Sequence, residues 1–166
     1  MSNKPQIPII LIDESTGFLD LVESHDMLSS SSVLGFIKET HKRFRAYDKN
    51  GICWGIGEVK SDYKINRLTK LLAYTFYNPE ITITLTWTEL HEYTLADLKK
   101  KINQQIKRDD DVITQFEEGE IIIQKINNCN SFDAIVTALE KYVFKVDEEQ
   151  LWKEQEARNK NIYKVK

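Results

Sequence analysis

Asp48, Glu58 and Lys60 stand in the stretch FRAYDKNGICWGIGEVK, residues 44–60. An Asp followed by Glu-x-Lys is the residue set of metal-dependent nucleases of the PD-(D/E)xK type. In that chemistry two carboxylates share a divalent cation, with ligand distances of about 2.0–2.6 Å. The acids must therefore converge. Here they lie on either side of Asn50-Gly51, a strong hairpin signal because both residues tolerate positive φ. A two-residue loop pairs positions whose numbers sum to 101, so Asp48 faces Cys53 and Glu58 faces Arg43. A longer loop shifts the register by one and sets Glu58 against Lys42. Either register leaves the two acids about five residues apart along the strand, roughly 17 Å. Glu39 is the one further acid that could swing toward Glu58. The spacing favours a turn-starting role for Asp48, where Asx side chains bond the local backbone.

Other motifs are incomplete. His91-Glu92 opens like H-E-x-x-H, but Leu95 occupies the second histidine position. His25, His41 and His91 have no ligand spacing. Gly51, Gly55 and Gly57 lie in the hairpin, with no helix beginning at them to cradle a phosphate. Cys53 has no basic partner in sequence to activate it. No catalytic set, metal site or cofactor is expected. The chemistry-bearing feature that remains is electrostatic. Residues 109–120 carry six acids (Asp109, Asp110, Asp111, Glu117, Glu118, Glu120) and no base. Val112, Ile113 and Phe116 lie between them. Such a run suits a solvated surface or a docking site for a basic protein, with Val112 and Phe116 as apolar anchors. Lys99–Lys101, Lys107 and Arg108 read as the wet side of a helix.

The chain has 166 residues and a net charge of -3, which speaks against a general nucleic-acid binder. Its two cysteines, Cys53 and Cys129, make no disulfide framework. No stretch reaches the roughly 18 apolar residues of a membrane span, and the apolar run 7–12 is too short for a signal-peptide core. The expected compartment is the cytoplasm, with neither nucleic acid nor membrane as a partner.

The elements that must position these residues follow from periodicity. IPIILI (7–12) predicts a buried strand, and FLDLV (18–22) a second one. Ser29–Ser32 predict a loop supplying N-caps, followed by a short helix over 33–39. The hairpin 41–60 comes next, with Gly55 and Gly57 suggesting a bulge or close approach of another backbone. Residues 61–79 predict a helix capped by Ser61 or Asp62, burying Ile65, Leu68, Leu71, Leu72 and Phe76. ITITLTWT (81–88) alternates strictly and predicts a strand with one dry face and a threonine face. Residues 94–108 predict a helix capped by Thr94, 121–126 a strand, and the segment after Ser131 a helix. The order predicts an α+β domain over 1–146, a mostly antiparallel sheet with helices packed on one face. Residues 147–166 predict a polar helical or frayed tail anchored by Leu151 and Trp152.

GFLDLVESHDML, a helical stretch, and RFRAYDKNGICWGI together resemble the immunity proteins of contact-dependent inhibition and related bacterial polymorphic toxin systems. Phe44, Tyr47, Asp48, Gly51 and Trp54 carry the likeness, with Leu68 and Leu72 in the helix that follows. The likeness covers residues 7–76. It implies a small cytosolic protein that binds a cognate toxin domain, often a basic nuclease, and covers its active site without catalysis. The acidic stretch 109–120 suits that task. The alternatives are the metal-dependent nuclease and a small-ligand or homodimeric module built on the threonine face of 81–88 and Gly55 and Gly57.

Overall fold

The computed structural model describes residues 4–108 and 111–164. It is an α+β fold built on a five-stranded antiparallel sheet. β1 (Ile9–Asp13) lies inside the sheet, paired with β2 (Phe18–Val22) on one side and β4 (Phe44–Asp48) on the other. β5 (Ile52–Lys60) follows β4, and β7 (Thr84–Glu92) closes the far edge, giving the order β2-β1-β4-β5-β7. Every residue of β1 is buried. Its alternate side chains serve opposite faces, which explains why its sequence is continuously apolar. Ile10 and Ile12 enter the main core, and Ile9 and Leu11 a second cluster with Val22, Ala46 and Trp54.

The main core is closed by helices. α3 (Leu95–Arg108) contributes Leu98, Ile102 and Ile106, the stripe expected from its spacing. Thr94 caps it as expected, its hydroxyl accepting from the Asp97 N–H at 3.1 Å. α5 (Phe132–Leu139) is capped by Ser131 and buries Phe132, Ile135, Val136 and Leu139. Between them, residues 121–126 are helical, not a strand: they belong to α4 (Gly119–Asn128). The triple isoleucine reads as a strand locally. Ile122 and Ile126, however, stand four apart and bury together on one helical face, and that tertiary contact decides the outcome. α6 (Glu148–Lys164) docks by burying Leu151, while Trp152 stays 64% exposed. Gln155 donates to the Phe116 carbonyl at 3.0 Å, and Arg158 pairs with Glu117 at 2.5 Å.

A smaller cluster lies where β5 ends and β7 begins. β3 (Ser30–Ser32) pairs with β6 (Glu80–Thr82), so the serine run is a short strand as well as a source of caps. Ser32 caps α1 (Val33–Ile37), accepting from the Gly35 N–H at 3.1 Å. Val33, Ala73, Ile81 and Ile83 form the cluster, with Val59 and Leu85 against it. The expected strand 81–88 is thus split at Ile83, whose N–H turns to the Ser29 carbonyl at 2.7 Å. Its alternation survives: Ile81 and Ile83 are buried, Thr82, Thr84, Thr86 and Thr88 exposed.

One buried polar residue has no hydrogen-bond partner for either end of its amide. Gln105 is fully buried in α3, and neither its Oε1 nor its Nε2 has a partner. A buried amide without hydrogen bonds destabilises by its full desolvation cost. Gln105→Leu should therefore raise unfolding free energy by about 1–3 kcal/mol, read as a higher urea midpoint at unchanged m-value.

Candidate functional site

The hairpin corner is built around Asp48. β4 and β5 pair Ala46 with Trp54 and Tyr47 with Cys53, the longer-loop register. Lys49, Asn50 and Gly51 form the loop; Gly51 sits at φ +80°, and its N–H donates to the Asp48 carbonyl at 3.1 Å. The Asp48 side chain is completely buried. One carboxylate oxygen accepts from the N–H groups of Asn50 (3.0 Å) and Ile52 (3.2 Å). The other accepts from the Gln6 N–H (3.1 Å) and the Trp54 indole N–H (3.0 Å). The Tyr93 hydroxyl donates to its main-chain carbonyl at 2.5 Å.

Four N–H donors thus occupy the carboxylate that a nuclease would offer to a metal. Glu58 is exposed and pairs with Lys60 at 3.2 Å. It lies six residues beyond Ile52 along β5, roughly 20 Å away at strand spacing. Glu39 pairs with Lys42 at 2.7 Å. Among the described residues, no three His, Cys, Asp or Glu side chains gather as a metal site. Cys53 and His91 do stand opposite each other on β5 and β7. The thiol is buried on the helix side, and burial raises its pKa, so it lacks the exposure and acidity of a nucleophile.

Gly55 and Gly57 lie beneath side chains of β7, and Gly57 also faces the Thr86 main-chain carbonyl. A Cβ at Gly57 would stand 3.0 Å from the Thr86 hydroxyl, and one at Gly55 3.2 Å from Leu90. The bulge is also present: the β5–β7 register shifts between Ile56 and Val59. There the Thr86 hydroxyl accepts from the Glu58 N–H (2.7 Å) and donates to the Glu58 carbonyl (3.0 Å).

The acidic docking residues are divided by the structure. Asp109 and Asp110 lie outside the described residues. Asp111, Glu118 and Glu120 are exposed, as is Val112 at 73%. Phe116 and Glu117 are turned inward. Phe116 packs on the main core, and Glu117, 4% exposed, is held by Arg158. Those two residues hold α6; they do not offer themselves to solvent.

The surface that sequence reasoning missed is 63–77. Its helix, α2 (Arg67–Ala73), is only two turns long and is capped by Asn66 in place of Ser61 or Asp62. It buries Thr69 and Ala73, four apart, against the small cluster. Of the expected stripe, Ile65 packs against that cluster and Leu72 is half-buried, but Leu68, Leu71 and Phe76 point the other way. Leu68 and Leu71 are each 63% exposed, Phe76 84%, Tyr74 55%, Tyr77 53% and Tyr63 44%. The spacing predicted one buried stripe; the small cluster takes Ile65 and the slim Thr69 and Ala73 and leaves Leu68, Leu71 and Phe76 outside. Contiguous exposed apolar residues of this kind mark interaction surfaces. The same segment holds Lys64, Arg67 and Lys70 and no acid. Lys38 reaches over it, its ammonium 5.5 Å from the Tyr74 ring.

Comparison with protein-family models, curated proteins and solved structures returned no match to this chain.

Replacing Asp48 by Ala strands four N–H donors, two of them at the loop that sets the register. We expect a loss of about 3–5 kcal/mol, measured by urea denaturation, with tryptophan emission shifting as Trp54 loses its anchor.

Proposed function

We propose that this chain is an immunity-type protein that binds a cognate toxin domain one-to-one and covers its active site, itself performing no reaction. The observation that carries the reading is the outward apolar face of 63–77. Leu68, Leu71, Tyr74 and Phe76 would form the centre of the contact, where aromatic and apolar anchors supply most of the affinity. Tyr63 and Tyr77 flank them with rings that are apolar along their length and polar at the tip. Lys64, Arg67 and Lys70 favour carboxylates on the toxin surface that meets them.

Asp111, Glu118 and Glu120 have a separate role in this reading. Exposed acids speed the approach of a basic toxin, such as a nuclease, because charge acts over about a Debye length. They set the rate of encounter, and the apolar face sets the lifetime of the complex.

The test uses the toxin domain encoded immediately upstream. The wild-type chain should co-purify with it and restore growth when both are expressed. Leu71→Glu with Phe76→Glu should weaken the complex at least a hundredfold and abolish rescue, with the unfolding midpoint unchanged because both side chains are exposed. Reversing Asp111, Glu118 and Glu120 to Lys should slow association about tenfold at low salt and leave dissociation unaltered. A wild-type chain that forms no complex and gives no rescue would overturn the proposal.

A further inference from the structure

The far edge of the sheet, β7, is open along part of its length. In a strand the main-chain N–H and C=O groups of successive residues point to alternate sides. The Ile83 N–H bonds the Ser29 carbonyl, on the side of β3. The Thr82 carbonyl accepts from the Ser61 hydroxyl, on the side of β5. The same alternation turns the peptide groups of Thr84, Thr86 and Thr88 toward β5 and those of Leu85 and Trp87 outward. Among the described residues, β5 is the one strand beside β7. The line of β3 stops at Ser29, because the residues before it form the turn His25–Leu28. Leu85 and Trp87 thus each present a donor and an acceptor to an open strand position.

Edge strands are ordinarily blunted by charge, proline or brevity. Residues 84–88, TLTWT, carry no charge, glycine or proline and consist largely of strand-forming types. Thr84, Thr86 and Thr88 are exposed, and Leu85 and Trp87 half-buried. The segment also matches itself. An antiparallel copy centred on Thr86 sets Leu85 against Trp87 on one face and threonine against threonine on the other, both favourable cross-strand pairs. Neighbouring registers are poorer. One sets Leu85 against the carboxylate of Glu89; the other sets Trp87 against Ile83, whose N–H already bonds Ser29. On the apolar face a cleft of about 1000 Å³, lined by Leu28, Trp54, Leu85 and Trp87 among others, leaves room for a second indole ring.

We propose that two copies of this chain associate edge to edge through β7, about a two-fold axis at Thr86, joining their sheets into one. Such a contact is self-complementary, the same patch serving both copies. It uses no residue of the 63–77 face, so this inference is independent of the toxin reading. Sedimentation velocity over a concentration series should show one chain passing to two. Amide hydrogen exchange at Leu85 and Trp87 should slow by about tenfold or more over the same series. Thr84→Lys with Thr88→Lys sets lysine against lysine across the axis. It should leave a single chain at every concentration, with the unfolding midpoint unchanged because both threonines are exposed. Thr84→Lys with Thr88→Glu sets opposite charges on the same rungs and should keep the dimer, which separates loss of this pairing from general damage to β7. Leu71→Glu should leave the dimer unaltered. A wild-type chain that stays single up to its solubility limit would overturn the proposal. So would a dimer that survives the double lysine variant, one lost equally in the lysine–glutamate variant, or one abolished by Leu71→Glu.

Discussion

A buried carboxylate with every lone-pair direction occupied organises this sheet. Asp48 ties together the hairpin loop, Gln6 ahead of β1 and the Trp54 indole of β5. Charge-assisted bonds to N–H groups are stronger than neutral ones, and in a low-dielectric site they reinforce one another. The register of β4 against β5 follows from this anchor. So does the division of side chains between the faces, because a one-residue slip would send Tyr47 and Cys53 out of the helix-covered core. The residue set that first suggests metal chemistry thus supplies a structural centre.

Much of the fold was legible because it rests on local rules. β1, β2, the hairpin, α3 and α5 follow from apolar period, Asn-Gly and the Thr94 and Ser131 caps. The misreadings share one cause: the pattern gives an apolar face but not what lies opposite it. Residues 121–126 read as a strand until Ile122 and Ile126 find α3 and α5 as neighbours. The helix over 61–79 read as core because its apolar residues recur at helical spacing, yet within α2 only Thr69 and Ala73 are fully buried, and Leu68 and Leu71 face solvent. Of the acidic stretch, sequence could count the charges. It could not show that Glu117 meets Arg158, 41 residues later, inside the molecule.

Apolar surface is distributed unequally between the two halves of this molecule. The main core is closed by four helices and seals nearly all of its large side chains. The small cluster has two short helices and a two-stranded sheet, too little structure to cover the leucines and aromatic rings of 63–77. Apolar surface left in water carries a cost of roughly 25 cal/mol per Å². A chain that keeps it exposed has that free energy in reserve for association, and rigid aromatic groups lose little conformational freedom when they are covered.

β1 has a further consequence for the order of synthesis. It is made before the other strands of this sheet, yet Ile10 and Ile12 share a core with residues from Leu98 to Leu151. This hydrophobic segment therefore waits for α3, α4, α5 and α6 before it is enclosed. During translation the pair 9–22 can form a hairpin, but its helix-facing side stays bare until the C-terminal helices emerge. Such a delay exposes a sticky surface to chaperones and to neighbouring chains, and it makes late truncations more damaging to this protein than their distance from β1 would suggest.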